Sequence, residues 1–190
     1  MRSMWMLWVV ALWGMTGCAL FGTPEAPPVQ PVALAPAPVP TPVERWIKIR
    51  KQDHTLRLYD GAQLVKTYPV VFGKDPTWAK LHQGDHRTPE GEYHIIKKYY
   101  HPDWSRFMLL DYPTEANQEI YAWSRANGLL PERGRRVPGI GGAVGIHGTD
   151  DERLNRRGIN WTEGCISLFN RDVDELYELV PVGTRVVIER

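Results

Sequence analysis

The chain has 190 residues and only two cysteines, Cys18 and Cys165, so no disulfide framework can hold it together. It lacks an excess of either charge. The 23 Lys and Arg against 22 Asp and Glu leave a formal charge of +1, which argues against nucleic-acid or membrane-surface binding driven by bulk charge. No internal repeat is visible, which sets aside solenoids and propellers. Metal-ligand spacing is missing as well. His82 and His86 flank Gly84 and Asp85, and a glycine there argues against a zinc-binding helix, while His54, His94 and His101 have no paired spacing. The longest apolar run, Trp5 to Met15, is too short for a resident membrane span of about 20 residues.

What that run does resemble is the apolar core of a secretory signal, so residues 1–17 are expected to be removed. It ends in Met15, Thr16, Gly17 and Cys18, which resembles the lipobox of bacterial lipoproteins although Leu is usual where Met15 stands. Cys18 is then the expected lipid anchor, with a plain signal peptide cut elsewhere as the alternative. Ala19, in place of an acidic residue, points to the outer membrane of a Gram-negative cell. Lipid on Cys18 would leave Cys165 as a lone thiol in an oxidising compartment, either buried and inert or kept for chemistry.

Residues 18–44 carry half of the 16 prolines, at 24, 27, 28, 31, 36, 38, 40 and 42, separated mostly by Ala and Val. Fixed φ and missing N–H groups predict an extended polyproline II linker, about 60 Å long over about twenty residues. The composition suits a spacer with no length requirement equally well.

A single folded domain is expected over 45–190, long enough for one core. Alternating apolar and polar residues predict strands at 45–51 and 55–59, with a turn at Asp60 and Gly61. A third strand, 63–72, contains Pro69 and so belongs at an edge or bulge. Further strands are expected at 92–97, 107–111, 143–147, 165–168 and 185–188. Helices are expected at 114–127, stopped by Gly128, and at 172–179, with Asn170 as cap. The fold class is mainly β, mostly antiparallel, with two or three short helices.

The chemistry concentrates in the run from His147 to Cys165. A free thiol of pKa about 8.5 is only slightly ionised at neutral pH, and an imidazole partner can activate it. Gly164 lets the backbone turn tightly, so that amides of Glu163, Gly164 and Cys165 can face a developing oxyanion. His147 needs its second nitrogen held, and a carbonyl near Gly148 is placed to do so. On spacing alone, a packed core cysteine and an unrelated histidine explain the pair equally well.

The surrounding residues separate those readings. Gly145-Ile146-His147-Gly148-Thr149, Thr162-Glu163-Gly164-Cys165-Ile166-Ser167-Leu168 and the element Gly84-Asp85-His86-Arg87-Thr88-Pro89-Glu90-Gly91-Glu92-Tyr93 resemble the L,D-transpeptidase catalytic domain, or YkuD domain. That resemblance implies a β-sandwich-like fold and a cysteine that acylates on a peptidoglycan tetrapeptide stem, releases D-alanine and passes the acyl group to an amine. It further implies Cys165 as nucleophile, His147 as base, Gly148 as the orienting carbonyl and Thr162 as the motif hydroxyl, counted with the substrate-binding residues, with no metal or organic cofactor. The matching region between Asp111 and Ile140 often forms a lid, so Tyr121 and Trp123 are candidate substrate-binding walls, with helix packing as the alternative.

Two positions depart from the family pattern. Glu163 stands where His is usual and is expected to face outward; Ser167 stands where Arg is common. Arg153, Arg156, Arg157 or Arg171 are candidates to supply the missing charge, Arg157 first, with a solvated loop face as the alternative. The expected partners are stem peptides and, through the lipid, the outer membrane; a monomer in the periplasm is expected. A hydrolase of the same fold and a non-catalytic wall-binding lipoprotein are the competing functions.

Overall fold

The computed structural model describes residues 44–132 and 136–190. The expectations for residues 1–17, for Cys18 and for the linker as far as Val43 lie outside them.

Strands begin where the apolar alternation begins. β1 (Arg45–Arg50) and β2 (Thr55–Asp60) form an antiparallel pair in which Ile47 faces Leu58 and Ile49 faces Leu56. All four side chains are fully buried, so one face of this hairpin is core. Gly61, at φ 55, turns the chain into β3 (Gln63–Pro69). Pro69 ends a strand at the sheet margin, where its missing N–H costs no ladder bond, and the ladder with β2 shifts register between Leu58 and Tyr59.

β4 (Gly91–His101) is shared between two partners. Its first residues, Gly91 to His94, pair with β8 (Arg185–Glu189), and from Ile95 onward it pairs with β5 (Ser105–Leu110). A register shift between Ile95 and Lys97 marks the handover, and such an irregularity bends a sheet. β6 (Gly145–His147) and β7 (Ile166–Ser167) complete the order β3-β2-β1-β8-β4-β5-β6-β7. The β1–β8 and β6–β7 pairs are parallel; the other ladders are antiparallel.

The segment after β3 folds back on β7. Val71 N–H donates to Ser167 O at 3.0 Å and Ser167 N–H returns to Val71 O at 2.9 Å, covering an edge that would otherwise offer unpaired backbone. The curled sheet therefore encloses one core, with Ile49, Leu56, Ile95, Met108, Ile146 and Ile166 at its centre.

Among the described residues, three short helices decorate it. α1 (Glu115–Ala126) lies within one residue of expectation at each end; Thr114 N–H donates to Asn117 Oδ1 at 3.0 Å at its start, and Gly128 at φ 67 follows its end. α2 (Glu152–Arg156) is a single turn, too short to leave a periodic signal, and is started by Asp151, whose carboxylate accepts the Arg153 N–H. α3 (Asn170–Leu179) begins two residues earlier than expected, and Phe169, not Asn170, occupies its N-cap. The reason is that Asn170 is committed elsewhere: its side chain accepts the Thr149 N–H at 2.8 Å and donates to Thr149 O at 2.9 Å. α3 lays the fully buried Val173 and Leu176 onto β5 and β6, and truncating Leu176 to Ala would cost about 2–5 kcal/mol.

Candidate active site

The parallel β6–β7 ladder aligns Ile146 with Ile166 and His147 with Ser167. Extending that register by one residue sets Cys165 level with Gly145. Since side chains alternate along a strand, His147 and Cys165 occupy the same face on adjacent strands. A ladder thus joins two residues that are 18 positions apart in the chain (165 − 147).

His147 is 1% exposed and enclosed by aromatic rings. Trp104 stacks on it at 4.4 Å and Phe107 at 5.5 Å, while Trp161 meets it edge-on at 5.7 Å. Loss of water in this box pushes the imidazole pKa down to about 4. Its Nδ1 lies 2.7 Å from Gly148 O. A carbonyl only accepts, so Nδ1 carries the proton of the neutral ring and Nε2 is left as a base.

Gly148 is required at its position by space. A Cβ there would stand 2.2 Å from Asn170 Oδ1 and 2.5 Å from Trp104 O. Its carbonyl is held from a second side by Ser167, whose Oγ donates at 2.9 Å. Ser167 in turn accepts from Asn155 Nδ2 at 3.0 Å, and Asn155 Oδ1 accepts from Trp161 Nε1 at 3.0 Å. The departure at Ser167 is therefore buried and fixes the carbonyl that sets the His147 tautomer.

The turn before Cys165 is tied by Thr162, whose Oγ1 donates to Cys165 O at 2.7 Å and accepts the Gly164 N–H at 3.2 Å. Thr162, expected among the substrate-binding residues, is instead buried and shapes the turn without lining the cavity beside the thiol. Gly164 sits at φ 138, and a Cβ on it would come within 2.6 Å of Arg87 O, so the motif at 84–93 packs directly on this turn. Thr88 reinforces the join, with its Oγ1 accepting the Gly73 N–H at 3.1 Å and donating to Cys165 O at 3.5 Å.

Cys165 is half-buried and carries the one free thiol among the described residues. Its Sγ bonds the Ala143 carbonyl at 3.7 Å. Desolvation pushes its pKa up to about 11, opposed by the Gly145 amide and the Lys80 charge. The resting pair is therefore a neutral thiol and a neutral imidazole.

A cavity of about 320 Å³ opens beside the thiol, lined by Lys80, Gln83, Ala143, Glu163, Gly164 and Cys165 among others. A larger hollow of about 620 Å³, near Arg45, Asp60 and Leu179, is lined by neither a cysteine nor a histidine. Glu163 is exposed at the cavity mouth, so it lies outward at the rim while still lining the opening. Its carboxylate is paired with Lys74 and His86, and the Lys74 hydrogen bond holds its pKa below the usual range. Lys80 and Asp85 form a buried ion pair at 2.8 Å; burial would raise the Asp85 pKa, but Lys80 and the amides of His82, Leu81 and Arg87 outweigh it and hold it low.

Other expected substrate contacts lie apart from this cavity. Tyr121 donates its hydroxyl to Pro138 O at 2.8 Å, and Trp123 is exposed on α1; neither lines the opening. Arg157 is exposed with Arg153 and Arg156 around a separate hollow, and Arg156 and Arg171 border another. Sequence patterning did not single out Lys80, Trp104, Asn155 or Trp161. The signal available for Lys80 was its position four residues before Gly84 of the upstream motif.

The family described as L,D-transpeptidase catalytic domain, YkuD, matches residues 44–188. The YkuD protein of Bacillus licheniformis is 30% identical over 151 residues, covering 78% of this chain and 68% of its own. That of Bacillus subtilis is 27% identical over 163 residues, covering 85% and 76%. Among solved structures, the helical cell shape determining protein Pgp2 from Campylobacter jejuni superposes with a TM-score of 0.58 at 24% identity, covering 77% of this chain and 48% of that one. Bd1075 of Bdellovibrio bacteriovorus gives a TM-score of 0.55 at 17% identity, with 77% and 48% covered. The chain thus spans about half the length of these two structures, which share its fold. On the matched span and the identity to its relatives, this chain belongs to the L,D-transpeptidase catalytic domain family.

Proposed function

We propose that the domain is a peptidoglycan L,D-transpeptidase with Cys165 as nucleophile and His147 as general base. The observation that carries this reading is the half-buried thiol at a cavity, on the same ladder face as a histidine whose Nε2 is free to take a proton. In the proposed reaction the thiol turns from Ala143 and gives its proton to His147 Nε2. The sulfur then forms a bond to the carbonyl carbon of the stem's L-to-D peptide bond, and the carbonyl π pair moves onto oxygen. Amides of the turn at Glu163, Gly164 and Cys165 stabilise that oxyanion. Collapse re-forms the carbonyl and expels the D-alanine amine, which takes the proton from His147. An acceptor amine then attacks the thioester by the same steps in reverse order.

Residues 1–17 direct export, Cys18 carries the lipid, and the linker holds the domain in the periplasm, anchored at the outer membrane. Among the described residues no helix is long and apolar enough to cross a membrane. Mass spectrometry of wild-type and Cys165→Ala protein, incubated with disaccharide-tetrapeptide with and without an acceptor stem, tests the chemistry. Crosslinked dimer made by the wild type alone is the expected result. Tripeptide without dimer would replace transfer by hydrolysis, and no Cys165-dependent product would overturn the catalytic reading.

A further inference from the structure

Lys80 is 5% exposed, a degree of burial that a lysine tolerates only with partners. It has two: Asp85 Oδ1 at 2.8 Å and His82 O at 3.2 Å. An ammonium has three donors, so one remains beyond these bonds. Lys80 also lines the cavity that Cys165 lines, whereas Asp85 does not. Its Nζ stands 3.6 Å from the point where a Cβ on Gly164 would sit, one residue from the nucleophile. The positive end of this buried pair therefore faces the reacting centre, and its negative end is turned away and satisfied by the amides of Leu81, His82 and Arg87.

The other charges around the thiol do not duplicate this role. His147 is neutral at rest in its aromatic box. Glu163 brings a negative charge to the rim, where Lys74 offsets it and His86 lies against it. From these placements we propose that Lys80 supplies the fixed positive charge that stabilises the Cys165 thiolate and then the carbonyl oxyanion. It keeps its proton throughout: the thiol proton goes to His147 and from there to the departing amine. This rests on the proposed role of Cys165 and adds the electrostatic element that a neutral Cys–His pair lacks.

The test is the rate of iodoacetamide alkylation against pH on the full chain, with the Cys165 peptide read by mass spectrometry apart from Cys18. This readout needs no substrate, so absence of any Cys165-dependent peptidoglycan product would overturn the transpeptidase reading without touching it. The K80M/D85N double variant removes the charge and leaves no unpaired carboxylate. It is expected to move the alkylation midpoint up by about one pH unit, so that alkylation on the acid side slows about tenfold. K80R is expected to stay within about threefold of wild type. D85N alone frees Lys80 from its counter-ion and is expected to move the midpoint down, which keeps the idea testable if the double variant does not fold. Profiles of K80M/D85N or of D85N that superimpose on wild type would overturn the proposal.

Discussion

Trp104 should control the basicity of His147. Its indole covers one face of the imidazole at 4.4 Å and is itself stacked on His101 at 4.3 Å. Burial is the largest cause of the depressed His147 pKa, about 4 against the ordinary 6.5. At 1.36 kcal/mol per pH unit, that gap is about 3 kcal/mol of preference for the neutral ring. Trp104→Ala opens this face to water while leaving the Trp104 backbone carbonyl that accepts the Gly148 N–H at 3.0 Å. Phe107 and Trp161 remain, so recovery is partial, upward from about 4 toward 6.5. An NMR titration of the His147 ring protons, assigned against His147→Gln, measures this directly. A value still near 4 in Trp104→Ala would refute the argument that desolvation by the aromatic box sets it.

The same shift has a stability consequence of definite sign. The folded pKa lies below the unfolded one, so between about pH 6.5 and pH 4 the unfolded chain binds the extra proton. His147 therefore contributes stability that is present above pH 6.5 and lost as pH falls toward 4, up to about 3 kcal/mol. The difference between wild type and His147→Gln in urea midpoints across that window isolates it. Trp104→Ala should flatten the difference, because its folded and unfolded pKa values converge.

Three further outcomes are expected. Ser167→Ala removes a donor to Gly148 O and an acceptor for Asn155, which should cost about 2 kcal/mol and lower the melting temperature by about 4–8 °C; kcat should fall with KM unchanged, and an unaltered kcat would show that the carbonyl does not need this support. Gly164→Ala places a Cβ at φ 138 and 2.6 Å from Arg87 O, so activity should be lost together with about 2–3 kcal/mol of stability; calorimetry and product analysis showing a wild-type profile would contradict the turn geometry. Glu163→Gln, at an exposed pair with Lys74, should change stability by less than about 0.5 kcal/mol, so a melting shift above about 2 °C would mean that the rim is structural.

Much of the β framework was legible because half-buried strands write their burial as alternation. Ile47, Ile49, Leu56 and Leu58 give the first hairpin its inner face, and Pro69 marks the margin of the sheet. The parallel pairings were not legible, since β1 and β8 meet from opposite ends of the domain and nothing local in either strand encodes direction. The start of α3 differs from the sequence expectation for a related reason. Asn170 is a good cap by type, but its side chain is spent on Thr149, a tertiary partner 21 residues away.

The site divides along the same line. Cys165, His147 and their glycines stand in local motifs, where backbone needs are written into neighbouring residues: no side chain fits at Gly148, and Gly164 holds a φ that others resist. The groups that set the pair's electrostatics come from separate segments and carry no motif of their own. Trp104 precedes β5, Trp161 and Asn155 flank the loop after α2, and Lys80 enters from the stretch before the Gly84 turn. A lone Trp or Lys reads as ordinary packing or surface charge until the fold brings it against the reacting residues. Ser167 illustrates the point best: by residue type it reads as a missing charge, whereas in the fold its hydroxyl is the middle of the chain Trp161–Asn155–Ser167–Gly148 that orients His147.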